Sequence, residues 1–291
     1  MKNRKVLVIY KESAYSQFQA SGSLTKGLKK GDYLAVVRGS HDRHHRTLAG
    51  VLKALAAEGL PVDRVLRHKA YRLRNVDHRY ALVVSVGGDG TLLDASHLVE
   101  RVPILGVNSD PMRSVARFSG CRLEDFPQVL RGHLEGRTKP VPVPRLQFRV
   151  NGRPNPWRVL NDLLVCTASP AGTSRYFLEI GDRSEEQMSS GIWVSTAAGS
   201  SAAIFSAGGK AQSLTSRSFQ FLVREPYQRK FGVRRLVRGI LRPGQRLGIV
   251  SRMKEGRIFV DGPNLWLPFR LGDRLEVGPS KSPLRLIGVK G

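Results

Sequence analysis

The chain has 291 residues, 41% of them hydrophobic, with 30 Gly and 16 Pro, which is ordinary for a globular protein rich in turns and long enough for two domains. No run of about 18 apolar residues occurs, so no membrane-spanning helix is expected, and two distant cysteines, Cys121 and Cys166, lack metal-ligand spacing and point to a reducing, cytoplasmic setting. The 48 Lys+Arg against 23 Asp+Glu, formally +25, favour polyanionic partners, nucleotides and polyphosphate among them; because the basic residues are dispersed and aromatics make up only 7%, nucleic acid is expected to bind non-specifically, through charge alone.

In chain order, "MKNRKVLVIYKES" enters a strand at 5 to 10 directly, and no removed leader is expected. Residues 24 to 45 hold His41, His44 and His45 close together; with no carboxylate or cysteine set at ligand spacing, the segment reads as a solvated basic loop rather than a metal site. A helix follows over about 46 to 58, with Leu48, Leu52 and Leu55 on one face. "YALVVSV" (80 to 86) is a continuous apolar run of the kind buried on both faces of a parallel sheet, and beyond the glycines Leu92, Ala95 and Val99 mark one face of a helix. "VPILGV" (102 to 107) is the next strand, and Phe126, Val129, Leu130 and His133 line a last helix before the prolines of "RTKPVPVP" (137 to 144). The alternation predicts a doubly wound α/β domain over 1–140. Short runs follow: "LQFRV", an Asn151-Gly152 turn, "WRVLNDLLVCT", "RYFLEIG", "GIWVST", "FQFLVRE", "RLGIV", "RIFVDG" and "RLEVG". They predict an antiparallel β-rich domain over 141–280, with the 281–291 tail packing back on the first domain.

Three patches carry chemistry. "VVSVGGDGTLLDAS" (83 to 96) puts Asp89 on a strand-to-helix turn, where open α/β sheets bind ligands and a helix N-terminus favours phosphate. A carboxylate there repels phosphate, so Asp89 carries a metal ion, takes a proton from an attacking hydroxyl, or caps the helix as part of a tight turn. The second patch, "SSGIWVSTAAGSSAAIFSAGG" (189 to 209), is rich in small residues that let backbone approach a ligand, with hydroxyls at Ser200, Ser201 and Ser206; a close-packed helix contact is the alternative. In the third, Asn161-Asp162 interrupts an apolar strand, and such a polar pair needs partners, which a ribose diol or adenine edge supplies.

In this order, "GGDGT" (87 to 91), "LND" (160 to 162), "STAAGSSAAIFSAGG" (195 to 209) and "VDG" (260 to 262) resemble the motifs of the NAD kinase family over roughly residues 80 to 288. "GVNSDPMRS" (106 to 114), "SSG" (189 to 191), Asp162, Ala203 and "VREP" (223 to 226) depart from the common pattern toward the plant NADH kinase and mitochondrial NAD kinase branch. The resemblance implies an α/β N-terminal domain of the phosphofructokinase and NAD kinase type with a parallel sheet, and an antiparallel β-rich C-terminal domain. The implied reaction transfers the γ-phosphoryl of ATP, or a phosphoryl of polyphosphate, to the 2′-hydroxyl of the adenosine ribose of NADH or NAD, with Mg²⁺ accompanying the nucleotide.

It assigns Asp89 to the hydroxyl proton and Gly87, Gly88, Gly90 and Thr91 to the phosphates. It places Asn161, Asp162, Arg175, Ser190, Ala198, Ser201, Ala202, Ala203 and Ser206 around NAD(H), and it implies a homodimer or homotetramer. Ser190 stands where the family has an aspartate near the nicotinamide. Losing that charge removes on the order of 1 kcal/mol of preference for the cationic oxidised ring, and losing a tyrosine at Ala203 removes a stacking face, so NADH is expected to be accepted at least as well as NAD⁺. Two rival readings are a diacylglycerol-type lipid kinase sharing the GGDGT turn, and a non-catalytic nucleotide- or nucleic-acid-binding protein.

Overall fold

The computed structural model describes residues 5–22, 31–114, 116–227 and 236–289. The chain divides into two compact units, one running through Val141 and taking in the segment from Leu284, the other spanning Pro142–Pro283.

The first unit contains β1 (Lys5–Tyr10), α1 (Ala14–Ser21), α2 (Gly31–Ala57), β2 (Val62–Leu66), α3 (Arg67–Ala70), α4 (Val76–Arg79), β3 (Tyr80–Gly87), α5 (Asp89–Ser96), β4 (Ile104–Asn108), α6 (Phe126–Leu134) and β5 (Val141–Val143). Its sheet has the order β2-β1-β3-β4, continued by the last strand of the chain, Leu284–Ile287, and then β5. The pairings β1 with β2, β1 with β3 and β3 with β4 are parallel, and so is that of β4 with the final strand, where Leu286 faces Ile104. One face of the sheet, with Val6, Val8, Val84, Val86 and Val107, packs on Leu48, Val51 and Leu55 of α2 and Phe126 and Leu130 of α6. On the other face α5 sits against β3 and β4. This is the parallel α/β arrangement that alternating strand and helix patterns dictate.

Two expectations are corrected here. Residues 31–45 are not a loop but the first turns of α2; residues 23–30 lie outside the described residues. Val37, His44, Leu48, Val51 and Leu55 are all buried at helical spacing, so the apolar stripe runs unbroken once His44 is counted as core. The helix after the GGDGT turn ends at Ser96, and Val99, although buried, lies beyond it.

The second unit contains β6 (Leu146–Val150), β7 (Arg153–Pro154), β8 (Asp162–Thr167), β9 (Ser174–Ile180), β10 (Arg183–Ser189), β11 (Gly191–Thr196), α7 (Ala203–Ser206), β12 (Phe219–Arg224), β13 (Arg238–Leu241), β14 (Leu247–Ser251), β15 (Gly256–Val260), β16 (Leu265–Phe269) and β17 (Arg274–Pro279). Two antiparallel sheets, β10-β9-β14-β17-β6-β7 and β13-β12-β11-β8-β15-β16, share one core. Tyr176, Leu178, Ile249 and Leu275 of the first meet Leu163, Val165, Ile192, Val194 and Ile258 of the second, the alternation expected of a sandwich. The β6–β7 hairpin turns on Asn151 (φ 52°) and Gly152 (φ 75°), both left-handed, which matches the strand twist of a tight hairpin. The final strand, named β18, is Leu284–Ile287. Among the described residues no helix is long and apolar enough to cross a membrane.

Candidate active site

In the first unit the chain steps from β1 out to β2 on one side and returns past β1 to β3 on the other, so the carboxyl ends of β1 and β3 flank a topological switch point. Lys11 follows β1 there and the Gly87–Gly90 turn follows β3. The turn is tight: a Cβ on Gly87 would lie 2.3 Å from Oγ1 of Thr91, and Thr91 is buried. The N-cap of α5 is Gly88, in extended backbone, with no side-chain cap bond, so Asp89 does not cap the helix. Its carboxylate accepts instead from three consecutive backbone N–H groups, Arg117 at 2.7 Å, Phe118 at 2.9 Å and Ser119 at 3.1 Å.

Beside the turn lies a cleft of about 390 Å³ lined by Lys11, Arg67, Gly88, Gly90, Asn108, Asp110, Arg113 and Ser114 among others. Arg67 is paired with Asp94, and Arg43 Nε donates to Asp110 at 2.7 Å. Burial alone would raise the Asp110 carboxyl, but its bonds from Arg43 and Ser40 and the nearby positive charges outweigh that and hold it below the usual carboxylate range. Lys11 is lowered by burial, with Asp110 opposing and Arg43 assisting. The cleft therefore offers cations and backbone N–H groups to an anion. Lys11 and Arg67 went unnoticed in the sequence; the signal available for Lys11 was its place directly after the first strand.

The histidines of α2 sit next to this region. Oγ of Ser13 lies 2.7 Å from Nδ1 of His41, and the His41 and His45 ring centroids are 4.2 Å apart. His44 is fully buried and pushed down to about 4, first by burial and then by the charge of Lys11, which keeps it neutral. Among the described residues no group of three or more His, Cys, Asp or Glu side chains is placed to hold a metal ion.

In the second unit the structure brings the other two patches together. Asn161 and Asp162 form the entry to β8, and the "STAAGSS" segment folds into a 3-10 turn, Ala198–Ser201, followed by α7. Gly199 presses on the pair: a Cβ there would lie 2.1 Å from the carbonyl oxygen of Asn161. Thr196 Oγ1 donates to Leu160 O at 2.6 Å and accepts from Gly199 N at 2.9 Å. Asn161 Nδ2 donates to Asp162 Oδ2 at 3.0 Å, and Asp162 is 5% exposed. Its carboxyl is pushed up to about 7, by burial first and by the neighbouring Asp261 second.

Asp261 of the "VDG" turn holds the segment from beneath, its carboxylate accepting from the N–H groups of Leu160, Asn161 and Asp162 at 2.9, 2.7 and 3.0 Å. That role was not legible in the sequence, where about a hundred residues separate the partners. Ser200, one of the three hydroxyls expected to face a ligand, is used internally: it donates to Ala197 O and accepts from Gln212 N. Ser201, Ala203 and Ser206 are exposed, Ala202 is half-buried and Ala198 is buried. Ser190 lies where the chain passes from β10 to β11, its N–H donating to Arg224 O at 3.0 Å, and the Arg224 guanidinium reaches back to Ser190 O and stacks on Trp193. Arg175 is exposed on β9, in the other sheet of the sandwich, paired across to Met188 two residues before Ser190.

The chain is similar to known proteins. Residues 6–138 match the ATP-NAD kinase N-terminal domain. A protein of Oryza sativa subsp. japonica named "Probable NADH kinase" is 34% identical over 74% of this chain and 73% of its own. The NADH kinase of Arabidopsis thaliana is 32% identical over 94% of this chain and 92% of its own. The crystal structure of an NAD kinase from Archaeoglobus fulgidus in complex with ATP has the same fold, with a TM-score of 0.68 over 96% of this chain and 92% of that one at 20% identity. With a GGDGT turn at the switch point of a parallel sheet, an Asn-Asp pair seated on a small-residue turn in a β sandwich, and relatives more than 30% identical over 74% and 94% of its length, the chain belongs to the NAD kinase family.

Proposed function

We propose that this protein is an NAD(H) kinase that transfers the γ-phosphoryl group of ATP to the 2′-hydroxyl of the adenosine ribose, with NADH accepted at least as well as NAD⁺. The observation that carries the reading is the Asp89 carboxylate on the turn beside a cationic cleft. A carboxylate offers about four lone-pair directions. Among the described residues three are taken by backbone N–H groups, which fix its orientation, and the remaining one is offered to a substrate hydroxyl. In the transfer the 2′-oxygen forms a bond to γ-phosphorus, the bond to the β,γ-bridging oxygen breaks, the hydroxyl proton passes to Asp89 and ADP leaves.

Gly87, Gly88, Gly90 and Thr91 supply the phosphate turn, and Lys11, Arg67 and Arg113 offset the charge of the donor. Mg²⁺ would accompany the nucleotide as part of the donor and offset phosphate charge. Asn161 and Asp162 hold adenosine and ribose hydroxyls, with Ser201, Ala202, Ala203 and Ser206 forming the nucleoside surface, the buried Ala198 packed within that turn, and Arg175 meeting a phosphate. Ser190 puts no charge where the family has an aspartate, and the guanidinium beside it, Arg224, adds to the discrimination against a cationic ring.

Polyphosphate is a second donor to test, a homodimer or homotetramer is the assembly, and the cytoplasm, a reducing compartment, suits the unpaired Cys121 and Cys166. A lipid-kinase reading leaves the Asn161-Asp162 pair without a task. The test is chromatographic measurement of NADPH and NADP⁺ formed from NADH and NAD⁺ with Mg-ATP or polyphosphate, for the wild type and Asp89→Ala. We expect turnover that falls by about 10³-fold in the variant; wild type that phosphorylates neither dinucleotide with either donor refutes the proposal.

A further inference from the structure

Asp261 follows β15 in left-handed backbone, φ 50°, a conformation that strains a residue with a Cβ. The same residue is tied into the entry of β8 from both its main chain and its side chain. Its N–H donates to Asp162 O at 2.9 Å. Its Oδ1 accepts from Asn161 N at 2.7 Å and Asp162 N at 3.0 Å, while its Oδ2 accepts from Leu160 N at 2.9 Å. Three successive N–H groups converging on one carboxylate make an anion nest, so the strained turn is stabilised by four bonds that all end on the segment carrying the proposed nucleoside contacts.

The second consequence is electrostatic. Two carboxylates are held against the same short segment, and one of them, Asp162, is 5% exposed. Neighbouring elements give it polar but uncharged company: Asn161 from its own turn, and Ser195 facing it from β11. The charge acting on it is that of Asp261. We propose that Asp261 is a positioning residue for NAD(H) binding, fixing the Leu160–Asp162 backbone and, through its negative charge, keeping a proton on Asp162 that passes to solvent when a ribose hydroxyl donates to the carboxylate. This rests on Asp162 being a nucleoside contact, as assigned above. Burial and Asp261 together put the Asp162 midpoint at about 7, so the protonated form, which has lost an acceptor, is populated at neutral pH.

The test follows the ¹³C carboxyl resonance of Asp162 against pH in the full-length protein, assigned by its loss in Asp162→Asn, together with the Kd for NADH from its fluorescence between pH 6 and 8. In the wild type we expect a midpoint near neutrality and NADH binding that tightens severalfold as pH rises through it. In Asp261→Asn the carboxyl midpoint should move down by about one unit, and the pH dependence of Kd should move with it. In Asp162→Asn that dependence should vanish. A merely structural Asp261 lowers the melting temperature and leaves the midpoint where it was, and that result overturns the proposal. Should Asp261→Asn fail to fold, Asp162→Asn decides: NADH binding that keeps the wild-type pH profile overturns it too. A wild type that binds no NADH refutes the nucleoside assignment, and with it the coupling to binding, while the carboxyl titration still tests the action of Asp261 on Asp162.

Discussion

Replacing Gly199 by alanine tests whether the small-residue segment is small because it must lie against the Asn-Asp pair. The added Cβ would sit 2.1 Å from the Asn161 carbonyl oxygen, 2.6 Å from its carbonyl carbon and 2.6 Å from its Oδ1. Ordinary carbon–oxygen contact is about 3.2 Å, so the two segments must part by roughly 1 Å, and the atoms struck first are backbone, which has no rotamer to yield. The bonds of Thr196 to Leu160 O and Gly199 N are stretched by the same movement. Overpacking of this kind costs about 1–3 kcal/mol, and the rigid target puts Gly199→Ala at the upper end. A 1 Å displacement of a contact residue also costs affinity, here about 10- to 100-fold for NADH.

Both effects are measurable. The three tryptophans, Trp157, Trp193 and Trp266, all lie in the second unit, so their fluorescence during urea unfolding reports its stability, and a fluorescence titration reports NADH binding. A variant with wild-type urea midpoint and wild-type Kd refutes the claim that Gly199 seats the pair.

Two further outcomes are expected. Ser190→Asp should shift the NAD⁺:NADH ratio of kcat/KM toward NAD⁺ by about fivefold, from a charge worth on the order of 1 kcal/mol at a partly exposed site; competition assays that return the wild-type ratio refute the charge argument. For stability against pH, the Asp162 carboxyl is raised from 3.8 to about 7 on folding. Below about pH 4 it is protonated in both states and costs nothing. As pH rises toward 7 the unfolded chain ionises first, so stability falls by a few kcal/mol across that window. Asp162→Asn should flatten this part of the profile, read as urea midpoints at pH 4.5, 6 and 7.5.

What the sequence disclosed depended on how each element is used. β1 and β3, buried on both faces, announced themselves as unbroken apolar runs, and the glycines of the phosphate turn stood out because close packing on Thr91 requires one of them. The first turns of α2 were hidden because a histidine, His44, occupies a core position, interrupting a stripe that is continuous in space. β10, "RSEEQMS", showed no apolar alternation because it is an edge strand whose backbone pairing with β9, not its side chains, holds it in register. In the site, Asp89, Asn161 and Asp162 were visible through motif resemblance. Lys11 and Arg67 were lost among 48 basic residues. The part played by Asp261 depends on a strand pairing that only the folded chain creates.

The parallel pairing of β18 with β4 carries a consequence for biogenesis. The first unit's sheet takes a strand that follows the whole second unit in the sequence. Until that strand is made β4 presents an unpaired edge of the kind that recruits other chains. Synthesis of the second unit must be completed before the first can close, so truncation near the C-terminus damages the sheet that carries Asp89, and a fragment ending at Val141 is expected to aggregate rather than fold as a free-standing domain.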